Sequence, residues 1–103
     1  MGRRLRERDR GFIDLQAADL RSVNFNGLNF DCASFIGAKL SVADLRDASF
    51  LGARFDGCDA RGVMVDEQTE IDELALAGLT QGGAKATEGL LKKVRERRGK
   101  EGK

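Results

Sequence analysis

Four aspartates, Asp14, Asp19, Asp44 and Asp59, are separated by multiples of five residues, and two cysteines, Cys32 and Cys58, complete the side chains that could do chemistry. Paired carboxylates can serve as general acid and base, but only where a pocket shifts one pKa away from the other. Two thiols can form a disulfide or join a metal site. Their spacing fits no zinc pattern, however, and the chain has no His to complete one. The positions these residues occupy in a repeat decide what they do.

From Leu15 every fifth residue reads Leu15, Leu20, Phe25, Phe30, Phe35, Leu40, Leu45, Phe50, Phe55, Ala60 and Val65, and all are apolar. Two residues before each stands a second apolar series: Ile13, Ala18, Val23, Leu28, Ala33, Ala38, Ala43, Ala48, Ala53, Cys58 and Val63. The residue between the two is polar in every unit except the last, which has Met64. On a helix, side chains five apart differ by about 140° and would spiral around the whole surface. A short extended piece with its first and third residues inward, followed by a corner, buries both series together. Gly27, Gly37, Gly52, Gly57 and Gly62 fall where such a corner turns.

Units such as AADLR, VADLR, ASFLG and ARFDG resemble the pentapeptide-repeat family, written A(D/N)LXX, over residues 13–67. The resemblance implies a right-handed quadrilateral β-helix of four units per turn, a solenoid of just under three coils. Residues twenty apart then stack at about 4.8 Å. Leu15, Phe35 and Phe55 would form one inward ladder, Leu20, Leu40 and Ala60 a second, Phe25, Leu45 and Val65 a third, and Phe30 and Phe50 a fourth. Arg10 breaks the phase upstream.

The chemistry-bearing residues then take structural places. All four aspartates occupy the outward slot that the family also fills with Asp or Asn. Cys58 stands in a small inward slot, and Cys32 lies at a corner in a different ladder, so no pairing, metal or cofactor is expected. A filled column leaves no substrate cavity, and the chain is read as not an enzyme.

The expected division is a basic N-terminal arm at 1–11, the repeat at 12–67, a capping helix at 68–79, and a linker plus basic amphipathic helix or tail at 80–103. In TEIDELALAG, Thr69 reads as an N-cap with Asp72 three residues later, Ile71, Leu74 and Ala75 share a closing face, and Gly78 ends the helix. Leu90, Leu91 and Val94 give the second helix an apolar side, and residues 99–103 read as disordered in isolation.

Charge is uneven along a chain whose net charge is +1: the arm carries +3, residues 12–66 carry −3, and the rest carries +1. Asp19, Lys39 and Asp59 are expected in one outward column of alternating sign. Arg3, Arg4 and Arg6 at one end, and Lys92, Lys93, Arg95, Arg97 and Arg98 at the other, are candidate anchors for phosphate or an acidic partner, set against a role as solubilising tails. Ile36, Val42, Leu51 and Met64 point outward and are candidate partner contacts.

These readings favour a structural or protein-interaction module docked on a larger assembly, one form being a phage virion or decoration protein. The alternative is a DNA- or topoisomerase-associated regulator, because one branch of the family imitates DNA to act on gyrase. An uncapped N-terminal coil also leaves a homo-oligomer open. The charged N-terminus lacks a signal-peptide pattern and no run reaches the roughly 20 apolar residues of a membrane span, so a cytoplasmic protein, or one assembled into a virion, is expected.

Overall fold

A computed structural model describes residues 13–101, with side-chain surroundings for 13–97. Each outward polar residue pairs in parallel with its counterpart twenty residues on: Asp14 with Ser34 and Ser34 with Arg54, Asp19 with Lys39 and Lys39 with Asp59, Asn24 with Asp44 and Asp44 with Met64, and Asn29 with Ser49. The chain therefore returns over itself every twenty residues and passes four sides on the way. Each rung is tied by reciprocal main-chain bonds, as where the Leu15 N–H donates to Ser34 O at 2.8 Å and the Ser34 N–H donates to Ile13 O at 2.8 Å.

Corners are built by a local device. The Asp or Asn at the centre of a side accepts, through Oδ1, the N–H two residues on, as from Asp14 to Gln16, Asn24 to Asn26 and Asp44 to Arg46. This Asx turn leads into a residue of positive φ, such as Gly27 at 78° after Asn24. At the corner that follows Lys39, which has no side-chain oxygen to form such a turn, Val42 adopts φ 61°, a conformation that a β-branched side chain reaches only with strain.

Inside, Phe35 and Phe55 stack with ring centroids 4.8 Å apart and planes 5° from parallel, and Phe30 and Phe50 stack at 6.1 Å and 11°. Neighbouring rings of adjacent sides meet edge to face, as for Phe25 and Phe30 at 5.2 Å. Phe25, Phe35, Leu40, Leu45, Phe50 and Phe55 are buried, whereas Leu15, Leu20 and Phe30 are half-buried, with no earlier coil over them among the described residues.

The coil continues past the expected limit at residue 67. Strands β1 (Ser49–Phe50) and β2 (Glu70–Ile71) pair in parallel, Ser49 with Glu70 and Phe50 with Ile71. The offset here is twenty-one residues, so one extra residue enters the preceding turn and a twelfth side completes the third pass. Thr69 takes the small inward slot of that side and is fully buried. Its Oγ1 donates to Leu45 O at 3.0 Å and accepts the Asp66 N–H at 3.3 Å.

Thr69 is therefore not the helix N-cap. Helix α1 spans Glu73–Gln81, and Asp72 caps it by accepting the Ala75 N–H at 3.0 Å. The other Asp72 oxygen accepts the Gly52 N–H at 2.8 Å, which ties the start of the helix to the corner beneath it. Gly78 does not end α1 but lies within it against the coil, where a Cβ would come within 3.0 Å of the Phe55 backbone. The closing face is Ala75, Leu76 and Leu79, while Leu74, assigned to that face by the sequence, is 68% exposed. Gly82 caps the helix, and its carbonyl accepts the Ala60 N–H at 2.8 Å, replacing a fourth coil at that point.

Helix α2 (Glu88–Glu101) begins at Thr87, whose Oγ1 accepts the Leu90 N–H, and buries Leu90 and Val94 with Leu91 half-buried. It runs through Gly99, where the sequence reads as disordered. The closing ladder bonds and the two helices seal one end of the coil.

Candidate interaction surfaces

The sides of the coil carry bidentate ion pairs within single units. Arg21 holds Asp19 at 2.7 and 2.6 Å, Arg46 holds Asp44 at 2.9 and 2.8 Å, Arg61 holds Asp59 at 2.9 and 2.8 Å, and Arg54 holds Asp56 at 3.1 and 2.9 Å. The sequence places Asp19, Lys39 and Asp59 in one column, and they do share it, but each aspartate takes its salt bridge from the arginine two residues on. In the pairs of Asp19, Asp44 and Asp59 the Asx turn brings residues i and i+2 to the same corner, close enough for the planar guanidinium to match the carboxylate, and Arg54 and Asp56 meet in the reverse order without that turn.

These contacts set the chemistry. The hydrogen bonds from Arg21 hold the Asp19 carboxyl down to about 2, and those from Arg61 do the same for Asp59. Arg46 holds Asp44 well below the usual carboxylate range, against the opposing effect of its burial. Each stays ionised and paired near neutrality, so none is poised to exchange a proton with a substrate. Burial pushes the Cys58 thiol up to about 11, away from a reactive thiolate. Cys32 is exposed at its corner, and both cysteines are free thiols.

Among the described residues no three His, Cys, Asp or Glu side chains gather as a metal site, and no helix is long and apolar enough to cross a membrane. A cleft of about 410 Å³ is bordered by Leu28, Asn29, Asp47, Ser49, Gln68 and Glu70, and one of about 290 Å³ by Gly62, Val63, Gly83 and Lys85. In the larger cleft the Ser49 hydroxyl donates to Asp31, outside the lining, at 2.5 Å.

A family model for pentapeptide repeats matches in eight copies, over residues 12–47 and 29–63. The chain belongs to the pentapeptide-repeat family. Comparison with curated proteins finds no match. Pentapeptide repeats in general form right-handed quadrilateral β-helices, act as structural or protein-interaction modules, and are non-catalytic.

In this pentapeptide-repeat protein the four candidate contacts separate. Val42 is 56% exposed, and Met64 is 37% exposed on the side that follows the Val42 corner. Ile36 and Leu51 are half-buried at other corners. Leu28, 47% exposed, was missed, although a signal was present: it is a large residue in an inward slot that Ala fills in six other units.

The basic candidates also divide. Lys93 Nζ donates to Glu67 O at 2.7 Å and to Glu70 Oε2 at 2.6 Å, and Arg97 reaches Glu70 Oε1 at 2.6 Å. These two dock α2 on the last side of the coil instead of standing free for a partner. Glu70 is held below its ordinary pKa by them, Lys93 foremost. Lys92 and Arg95 are exposed. Arg3, Arg4 and Arg6 lie outside the described residues, as does the side chain of Arg98.

Proposed function

We propose that this protein is a non-enzymatic interaction module, a right-handed quadrilateral β-helix that presents a side wall to a protein partner within a larger assembly. The observation that carries the reading is the pairing of a filled axis with an exposed Val42 held at a strained φ of 61°, next to a wall bearing exposed Met64. Strain at an exposed apolar residue costs stability and is tolerated where the residue serves a contact. Arg and Met are enriched at protein interfaces, and Arg21, Arg46 and Arg61 frame this wall. A phage virion or decoration protein is the concrete form proposed, located in the cytoplasm until assembly, with the charged ends as further anchors.

The test is affinity capture from native lysate or purified particles, comparing the natural chain with Val42→Asp/Met64→Lys. The reading expects one partner retained by the natural chain and lost from the variant at unchanged fold; retention by both contradicts it. A second reading, regulation of DNA or a topoisomerase, is supported by exposed Lys92 and Arg95 on α2. It requires a salt-dependent mobility shift with duplex DNA or an effect on gyrase supercoiling.

A further inference from the structure

In the inner coils, the central residue of each side spends both main-chain groups on the coil before it. Ser34 donates to Ile13 O and accepts from the Leu15 N–H, and Asp44 donates to Val23 O and accepts from the Phe25 N–H. Among the described residues the first coil has no predecessor. Among the described residues nothing donates to or accepts from the main chain of Asp14, Asp19, Asn24 or Asn29 on that face. One N–H and one C=O on each of four sides therefore form an open edge, with half-buried Ile13, Leu15, Leu20, Val23 and Phe30 behind it. Such an edge is a template for pairing. Upstream the sequence pattern breaks at Arg10, which stands where the next Leu or Phe of the series would be.

We propose that this end pairs with the same end of a second copy about a two-fold axis, so that Asp14 faces the second copy's Asn29 and Asp19 faces its Asn24. The proposal concerns the coil end and is independent of what the walls bind. Three features select this arrangement. First, the opposite end is closed by β2, α1 and the Ala60–Gly82 bond, so head-to-tail stacking is blocked and pairing must be isologous and finite.

Second, the open face is a ramp that climbs one strand spacing, about 4.8 Å, over the four sides. Two ramps of the same hand, related by a two-fold axis perpendicular to the coil, keep a constant gap. All four sides meet only when the first faces the fourth and the second faces the third. Facing sides then run antiparallel, and each facing pair can exchange two main-chain hydrogen bonds.

Third, that register sets a carboxylate against a carboxamide on every side. Each other face-to-face register sets Asp14 or Asp19 against an aspartate of the other copy, and like charges directly opposite destabilise a pair. The turns use Oδ1 of Asn24 and Asn29, which leaves Nδ2 to donate across the junction.

Sedimentation equilibrium of the full chain from about 1 µM to about 1 mM tests this. A monomer–dimer equilibrium is expected, with the dimer weakened tenfold or more in Asn24→Asp/Asn29→Asp. That variant keeps the fold, because Asp44 and Asp59 already occupy the same slot in inner coils, and melting of dilute protein checks it. Adding Asp14→Asn/Asp19→Asn to the same chain exchanges the charges and restores the dimer. A chain monomeric throughout the range overturns the proposal, as it would if residues 1–12 covered the end. So does a dimer that Asn24→Asp/Asn29→Asp leaves intact, or one that the exchange fails to restore.

Discussion

The two ends of the coil are made from the same five-residue unit, yet at one end Ile71, Leu79 and Ala60 are buried, and at the other Leu15, Leu20 and Phe30 are half-exposed. The repeat generates sides and columns but cannot finish itself. The sealed end is completed by non-repeat chemistry: an extra residue before Thr69, the double use of Asp72, and two glycines that let α1 approach the coil backbone. Stability should therefore rise from the open end toward the middle and the sealed end.

The largest expected contrast is between Phe35→Ala and Leu15→Ala. Phe35 touches Phe25, Phe30, Phe50 and Phe55, and its removal should cost about 3–5 kcal/mol and abolish a cooperative melt. Leu15, in the same column but half-buried, should cost less than half of that; equal losses in thermal unfolding would erase the difference between the ends. Next, Thr69→Val should cost about 1–3 kcal/mol by leaving Leu45 O buried without its hydroxyl donor, measured by urea unfolding. Gly82→Ala should cost about 1–3 kcal/mol, because a Cβ there would lie 2.5 Å from Cys58 O and force α1 off the coil end.

A smaller effect separates acid from base. Asp19 and Asp59 have folded pKa values depressed to about 2, so their contribution is present above the ordinary carboxylate value of about 3.9 and is lost as pH falls from there to about 2. Cys58 has a raised value, so its contribution is present below about 9 and is lost as pH rises toward about 11. Melting temperature against pH should show a plateau between these windows, and replacing Arg21 and Arg61 by Gln should shrink the acid limb. The smallest effect has the opposite sign: Val42→Gly should raise stability by up to about 1 kcal/mol by relieving positive φ, visible as a higher melting temperature.

The columns were legible because a period of five leaves one consistent way to bury two apolar series, and residues twenty apart then follow by counting. The twelfth side was not legible, since one extra residue shifts Thr69, Glu70 and Ile71 out of phase. Thr69 with Asp72 three residues on imitates a capping box, and only the bond to Leu45 O, twenty-four residues away, reveals its place. The intra-unit Asp–Arg pairs were hidden because their proximity comes from the corner geometry rather than from strand alternation. Lys93 and Arg97 read as free anchors until Glu70, on the shifted side, is placed beside them.

Hydrogen exchange resolved by residue, on protein dilute enough to be monomeric, tests the stacked coil most directly. The amides of Ser34, Lys39, Asp44 and Ser49, each bonded to the coil before, should exchange slowly, and those of Asp14, Asp19, Asn24 and Asn29 should exchange fast. Ser34 and Asp44 exchanging as fast as Asp14 would contradict the account.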